Sequence, residues 1–366
     1  MDYRTHHPHP FKLLTVAVCA TALIIGVELS KNFQKDPLLD DKLNAARLMQ
    51  KAMDVIKKER SRMGLTVERK DDPNETGLIG KDYTDLTTTL GSLSSKRTST
   101  NPNFTGVLVE MLFQAGVKEG DGVAISLSGS FPALNIALLS AVYSSNLKPV
   151  IISSVGASMY GANEPQLTWL DMERILREKG VFPYISEAAS LGGLAETRGG
   201  LDGSGIEMGL QAIRRNGIPY LHEQGQKTLK EDIERRLAIY ERALGHKKPA
   251  VFVNIGGTLT SLGNCSEAYA LSTGLLSKVP FSNHPQRGII FRMSEKGVPI
   301  IHLLNIKKIA ARYGLPIDPI PLPVIPSGSI MEQQKYSHPF ALSGLIFLCL
   351  LLVLLQKQRL NYQARK

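Results

Sequence analysis

From about residue 103 to residue 305 the chain alternates between two patterns of hydrophobic positions. Continuous apolar runs such as "GVAISL", "PVII" and "AVFVNI" end in turn residues, whereas longer segments repeat apolar residues every three or four positions. Continuous runs are typical of strands covered on both faces, and the longer spacing is typical of amphipathic helices. The alternation predicts an α/β domain with a mostly parallel sheet and helices on both faces.

Local signals place some of the element boundaries. Thr168 with Asp171, and Thr228 with Glu231, have the spacing of a capping box at a helix start. The segment "GIIFRMSEKGVPIIHLLN" is predicted as two strands around a turn. A helix that Asn305 caps is expected after it.

Both ends of the chain carry apolar runs. The run Leu13–Val27 is almost wholly apolar, and Phe340–Leu355 has no charge in sixteen residues. An apolar helix of this length spans about 24 Å, and bilayer thinning or snorkelling by Lys357 can absorb the difference from a hydrocarbon core of roughly 30 Å. No small-residue cleavage site follows the first run, which disfavours a signal peptide. We therefore predict transmembrane helices at 13–29 and 340–355.

These spans divide the rest of the chain. The predicted segments are a cytoplasmic tail at 1–12, an amphipathic stalk helix and linker at 30–75, an α/β domain at 76–315, a Pro-rich tether at 316–339 and a basic cytoplasmic tail at 356–366. Lysine and arginine near the spans favour the cytoplasm for both tails. The predicted localisation is therefore the cell membrane, with both termini cytoplasmic and the central domain outside the cytoplasm.

Composition narrows the chemistry. Of the net charge of +10, the N-terminal segment 1–29 carries none and the C-terminal segment 340–366 carries +4, so the region between the predicted spans carries +6, which favours an anionic partner. Of three cysteines only Cys265 lies between the predicted spans, so an intrachain disulfide there is excluded. The histidines are dispersed without metal-ligand spacing. We predict no metal, no cofactor and no nucleic-acid partner.

Three turns rich in small residues and hydroxyls follow predicted strands, at 126–132, 153–158 and 254–261. Ligands of open α/β sheets collect at the carboxyl ends of the strands, where backbone N–H groups can meet an anion. We therefore expect the turns to lie together at one sheet edge. Alternatively, the small residues only let helices pack close to the strand ends. The candidate binding residues in the turns are Ser128, Ser130, Ser154, Asn254 and Thr258.

A polar stretch, "TTTLGSLSSKRTSTNPNF", precedes the first helix of the α/β domain. Nine of its first fourteen residues are Ser or Thr, and these fourteen include one glycine and no proline. It is either a polar linker or a folded lip over the strand ends. In the second case Lys96 and Arg97 would bind carboxylates, Arg97 through a bidentate pair.

This stretch, together with "SGSFPALNIA", "SSVGAS", "TWLDME" and "AASLGG", resembles the poly-γ-glutamate system protein family. The family is bacterial, membrane-associated and found with capsule-type poly-γ-glutamate synthesis and export machinery. The resemblance covers roughly Thr76 to Pro316 and supplies no assigned catalytic or binding residues. It implies a cell-envelope role in making this exopolymer, a polyanion with one free α-carboxylate per residue.

Three functions stay open. The first is a membrane-anchored accessory protein that binds or guides poly-γ-glutamate outside the membrane. The second is an amide hydrolase or transferase acting on the polymer, with Ser128 or Ser130 as nucleophile; no complete catalytic set is evident. The third is a scaffold for the other subunits of the synthase and export complex.

Overall fold

The computed structural model describes residues 10–29, 32–33, 36–66, 68–193, 200–222, 228–331, 334–335 and 338–363. The chain divides into two compact units. One comprises Pro37–Met331, and the other comprises Met1–Asp36 with Glu332–Lys366.

Helices and strands alternate through most of the chain. The helices are α1 Pro10–Leu29, α2 Leu39–Arg62, α3 Leu93–Ser99, α4 Phe104–Gln114, α5 Pro132–Ser144, α6 Trp169–Glu178, α7 Gly203–Arg215, α8 Leu229–Ala243, α9 Leu259–Leu262, α10 Ile289–Glu295, α11 Ile306–Arg312 and α12 His338–Gln363. The strands are β1 Asn32–Phe33, β2 Thr87–Thr89, β3 Gly122–Ser128, β4 Lys148–Ser154, β5 Ala157–Ser158, β6 Asn163–Glu164, β7 Leu167–Thr168, β8 Ala188–Ser190, β9 Val251–Ile255, β10 Gly274–Leu276, β11 Ile300–Leu303 and β12 Gln334–Lys335.

The larger unit is an α/β domain around a mixed six-stranded sheet. The strand order is β10-β11-β9-β3-β4-β8. Neighbouring strands run parallel from β11 to β8, and the edge strand β10 runs antiparallel to β11. The carboxyl ends of β3, β4 and β9 consequently lie at the same edge of the sheet.

Both faces of the sheet are buried. Along β3, Val123, Ile125 and Leu127 belong to the core on one face, whereas Ala124 belongs to the core on the other. The first core includes residues of α2, α4, α5, α6 and α7, and the second includes residues of α8 and α10. Since each large side chain buried in this way stabilises by about 1.5–3 kcal/mol, both faces select apolar residues and the strands lose their alternation.

The helix predicted as a stalk packs inside this domain. Small and flexible apolar residues of α2, among them Ala45, Met49 and Ile56, are fully buried in the first core. At the start of α2, Lys42 Nζ donates to Glu110 Oε2 at 2.7 Å and to the Ile330 carbonyl at 3.1 Å. The structure therefore makes residues 39–62 a layer of the domain.

The Pro-rich segment, predicted as a tether, also belongs to the larger unit. Proline has no backbone N–H, so the carbonyl groups of this segment need donors from elsewhere, and side chains of the domain supply them. Asn74 Nδ2 donates to the Pro319 carbonyl at 2.8 Å, and Asn103 Nδ2 donates to the Val324 carbonyl at 3.0 Å. These contacts hold the segment against the start of α4.

One strand predicted from the sequence is a helix. Ile289–Glu295 forms α10, which buries Ile289, Ile290 and Met293 in the core on the second face of the sheet. The hydrophobic pattern of a short apolar run is the same for a buried strand and a buried helix, and only packing decides between them.

The predicted capping boxes are confirmed. Thr228 N–H donates to Glu231 Oε2 at 3.1 Å, and Glu231 N–H donates to Thr228 Oγ1 at 3.2 Å. Thr168 donates through its N–H and its hydroxyl to Asp171 Oδ2, at 2.8 and 2.7 Å. Asn305 also caps its helix as predicted, by accepting from Lys308 N–H at 3.2 Å.

In the smaller unit α1 packs on α12, and β1 pairs antiparallel with β12. The helices approach closely at glycines: a Cβ on Gly26 would lie 3.1 Å from the Phe340 ring. A larger residue there would push the two helices apart.

The prediction of two transmembrane helices is wrong. Among the residues that the structure describes, no helix combines the length and apolar character that crossing a bilayer requires. The apolar part of α12 spans only about 24 Å, compared with a hydrocarbon core of roughly 30 Å, and the helix continues into the charged segment that starts at Lys357. The spans at 13–29 and 340–355 are therefore not supported. The localisation inferred from them stays a prediction.

Replacing Asp171 by alanine should lower the free energy of unfolding by roughly 2–3 kcal/mol, because buried donors lose their acceptor. Besides Thr168, the carboxylate accepts from Arg215 Nε at 2.8 Å and from Asn216 Nδ2 at 2.8 Å, and Asp171 is only 2% exposed. Denaturant unfolding measures the change.

The control is Glu178→Ala, which removes an exposed pair with Arg174 worth less than about 1 kcal/mol. Equal losses in the two variants would contradict this role of Asp171.

Candidate functional site

A pocket of about 290 Å3 lies at the carboxyl ends of β3 and β9. Small and hydroxyl-bearing residues dominate its wall. The lining residues are Thr88, Thr89, Leu90, Gly91, Ser92, Ser95, Lys96, Ser128, Ser130, Phe131, Gly156, Ser158, Gly193, Gly256, Gly257, Thr258 and Leu304. We call this the strand-end pocket.

The three turns meet there because glycines let their backbones approach. Gly129 donates its N–H to the Ser154 carbonyl at 2.9 Å, and a Cβ at Gly129 would lie 2.5 Å from the Val155 carbonyl oxygen. Gly256 has a φ of +97°, and a Cβ there would lie 3.0 Å from Ser128 Cβ. A larger residue at either position would separate the strand ends and open the pocket wall.

The polar stretch is folded and forms another wall of the pocket. Thr87–Thr89 is strand β2, which pairs parallel with β5. Ser92 then caps α3 by accepting from Ser95 N–H at 3.4 Å. The stretch is therefore a strand and a short helix, and the linker interpretation does not hold.

Lys96 is the one cation among the described lining residues. It is only 2% exposed, and its Nζ donates to the Ser130 carbonyl oxygen and lies 2.7 Å from Ser158 Oγ. The amine also lies 3.8 Å from the centroid of the Phe131 ring. No carboxylate of the described residues pairs with it. The lysine thus joins α3 to the turn after β3 and to β5.

Burial lowers the pKa of Lys96 from its ordinary value of 10.5 to about 7. The face of the Phe131 ring favours the charged amine, by about 0.5–2 kcal/mol for such contacts, but loss of hydration outweighs this. Near neutral pH the protein is therefore a mixture of ammonium and neutral amine at this position.

Three other predicted residues line the same pocket. Ser128 Oγ accepts from Ser130 N–H at 3.1 Å, and Ser130 Oγ accepts from Ser158 N–H at 3.0 Å. Thr258 follows Gly257 and donates to Ser261 Oγ at 3.0 Å. The structure thus brings Ser128, Ser130, Thr258 and Lys96 together, while their binding role stays a prediction.

Ser154 and Asn254 lie behind the wall and are not among the lining residues. Ser154 Oγ donates to the Leu127 carbonyl at 3.4 Å. Asn254 Nδ2 donates to the Gly256 carbonyl at 2.7 Å and to His302 Nδ1 at 3.0 Å, which requires that ring nitrogen to be unprotonated. Burial lowers the pKa of His302 to about 4, so the neutral ring is the stable form. Asn254 therefore holds the turn at Gly256, whereas Ser154 bonds the end of β3.

Arg97 points away from the strand-end pocket. Its Nε and Nη2 form a bidentate pair with Asp318 at 2.6 and 2.5 Å, and hydrogen bonding to that carboxylate raises the pKa of Arg97. The bidentate geometry expected for a ligand carboxylate is thus formed with a carboxylate of the Pro-rich segment. A ligand would have to displace Asp318 to use this arginine.

Ser158 is a pocket residue that was not among the candidates. It ends the quoted turn "SSVGAS", and nothing in the sequence indicates that Lys96, sixty-two positions earlier, contacts it. The carboxylates in "TWLDME" do not line the pocket. Glu173 accepts from Ser186 N–H and Oγ, each at 2.9 Å, and burial raises the pKa of Glu173 to about 7.

The electrostatics of the pocket suit an anion. None of the lining residues is acidic, and the N–H of Gly257 has no acceptor among the described residues. Across the part of the chain that the structure describes, no group of three His, Cys, Asp or Glu residues could hold a metal ion.

No protein-family model, no curated protein and no solved structure matches this chain. The resemblance to the poly-γ-glutamate system family therefore remains a hypothesis.

The Lys96 pKa predicts a pH dependence of stability. Between pH 7 and 10.5 the unfolded chain binds a proton at Lys96 that the folded protein does not bind. Stability should therefore rise with pH across this window, because the unfolded state holds more protons there. Denaturant unfolding from pH 7 to pH 10, compared with Lys96→Met, isolates the contribution. The two proteins would show the same pH dependence if Lys96 kept an ordinary pKa.

Proposed function

We propose that this protein is an accessory component of poly-γ-glutamate biosynthesis or export and that it binds the anionic polymer in the strand-end pocket. The observation that carries the proposal is the pocket itself, which joins hydroxyls, glycine N–H groups and one buried lysine without an acidic residue among the described lining. The sequence resemblance supports the choice of polymer.

Carboxylate recognition fits this set of groups. Each residue of the polymer carries a free α-carboxylate, which accepts hydrogen bonds from hydroxyls and backbone N–H groups. Bonds to a charged acceptor contribute roughly 1.5–3 kcal/mol, about twice a neutral one. The protonated fraction of Lys96 adds electrostatic attraction, and the net charge of +10 favours approach of a polyanion.

Pocket size suggests which part of the polymer binds. Small-molecule pockets have volumes of about 300–1,000 Å3, and about 290 Å3 lies at the lower limit. A chain end with one or two glutamyl groups is therefore a better fit than a long stretch of polymer. The remaining chain would extend along the surface, where contacts are weaker and screened by salt.

A γ-linked glutamate oligomer should bind more tightly at pH 6 than at pH 8, because the ammonium form of Lys96 attracts carboxylate. Lys96→Met should weaken binding about 10-fold, equivalent to about 1.4 kcal/mol, and remove the pH dependence. Titration calorimetry with the γ-linked oligomer and an α-linked oligomer of equal length measures both effects and the preference for the linkage.

The matched control is Lys148→Met, which removes an exposed lysine at the opposite end of β4. It should leave the affinity nearly unchanged. The proposal fails if the wild-type protein does not bind the γ-linked oligomer, or if the two lysine variants lose affinity equally. A scaffold would bind subunits of the synthase complex and give no heat with the oligomer.

A further inference from the structure

The contact between Lys96 and Ser158 goes beyond what anion binding requires. Nζ and Oγ are 2.7 Å apart, and both residues line the strand-end pocket. A lysine that serves only to attract carboxylate would be expected to present its amine to the ligand. Here the amine is buried and bonded to the Ser158 hydroxyl.

We propose that Ser158 and Lys96 form a nucleophile and general-base pair that breaks amide bonds by acyl transfer, with γ-linked glutamyl amides as the substrate class. The substrate class rests on the proposed function, whereas the reactivity of the pair does not. Ser–Lys pairs are one of the arrangements by which proteins activate a serine hydroxyl.

The hydrogen bonds of the amine match this role. A neutral amine has two N–H groups and one lone pair. One N–H can donate to the Ser130 carbonyl, which leaves the lone pair for the Ser158 hydroxyl. The Ser130 carbonyl therefore holds the lysine in the orientation that a base needs.

Ser128 and Ser130 fit the role less well. Ser130 Oγ accepts from Ser158 N–H, and Ser128 Oγ accepts from Ser130 N–H. Among the described residues neither hydroxyl contacts a group that could take its proton. Their bonds instead fix the backbone around Ser158.

The reaction balances without a further reagent. Ser158 Oγ attacks the amide carbonyl carbon while its proton passes to Lys96 Nζ. The Lys96 ammonium returns that proton to the leaving amine as the C–N bond breaks, and an acyl ester on Ser158 remains. Water then releases a carboxylic acid, or a second amine forms a new amide, and Lys96 again carries the proton between donor and leaving group. Gly257, whose N–H has no acceptor among the described residues, lines the same pocket and is the candidate donor to the carbonyl oxygen.

The surroundings keep the lysine able to act as a base near neutral pH. Burial lowers the pKa of Lys96 to about 7, without a contribution from a neighbouring charge. The turn after β3 and strand β5 contribute no ionisable side chain. The packed helix α11 carries Lys307, whose Nζ lies 3.4 Å from Ser94 Oγ, together with Lys308 and Arg312. Next to Lys96 on α3, Arg97 is neutralised by its pair with Asp318.

The pair can be tested with p-nitrophenyl acetate, an activated ester whose reaction does not depend on recognition of a glutamyl chain. The wild-type full-length protein should release nitrophenol and carry an acetyl group on Ser158, located by peptide mass spectrometry. The rate should rise with pH through about 7 as Lys96 loses its proton. Ser158→Ala should abolish the acetyl mark, and Lys96→Met should slow acylation roughly 100-fold.

The control for loss of a hydroxyl is Ser61→Ala, an exposed position on α2, which should react like the wild type. Denaturant unfolding serves as the folding check for Ser158→Ala, and the oligomer-binding assay with the wild type is the separate test of the proposed function. No acylation, or acylation at another residue, overturns the pair even if the polymer binds. Acylation of Ser158 without polymer binding supports the pair and contradicts the proposed function. If Ser158 is acylated and the polymer also binds, incubation of the wild type with γ-linked polymer should produce new chain ends.

Discussion

Burial of the central sheet on both faces is the constraint from which the site follows. Because β3, β4 and β9 are covered by helices on each side, their side chains cannot present polar chemistry from the middle of a strand. Hydroxyls and free N–H groups collect where the parallel strands end. Glycines at positions such as 129 and 256 then let those ends approach, so the same packing that builds the core also builds the strand-end pocket.

The burial of Lys96 is a local cost within this arrangement. Taking an ammonium out of water is unfavourable, and the fold offsets it with a carbonyl, a hydroxyl and the Phe131 ring in place of a carboxylate. A carboxylate partner would have kept the lysine charged. Its absence among the described residues leaves the amine able to change its protonation state near pH 7, which an ordinary structural lysine does not do.

The sequence predicted the alternation of strands and helices and the meeting of the turns, because periodicity and strand-end geometry are local properties. It could not distinguish a buried helix from a strand at Ile289–Glu295, where packing against the second face decides. The sequence analysis placed α2 and the Pro-rich segment outside the domain, whereas the structure packs both into it. The contacts that hold them, Lys42 with Glu110 and Asn103 with Val324, join residues more than sixty positions apart, and a local pattern does not reveal them. The transmembrane prediction relied on apolar runs whose length was marginal. Ser158 was missed since its partner Lys96 is distant in sequence.

Binding and catalysis place opposite demands on one lysine. A carboxylate is attracted by the ammonium, whereas proton abstraction from Ser158 requires the neutral amine. A pKa of about 7 lets both forms coexist, and a bound carboxylate would raise that pKa and so hold the lysine in its charged form. A substrate that places its carboxylate beside Lys96 would consequently inhibit its own cleavage. A productive complex therefore needs the carboxylate to bind pocket hydroxyls other than that of Ser158, such as the hydroxyl of Thr258, with the amide turned toward Ser158. The pocket thus needs hydroxyls on the walls away from Lys96, as well as the hydroxyl beside it.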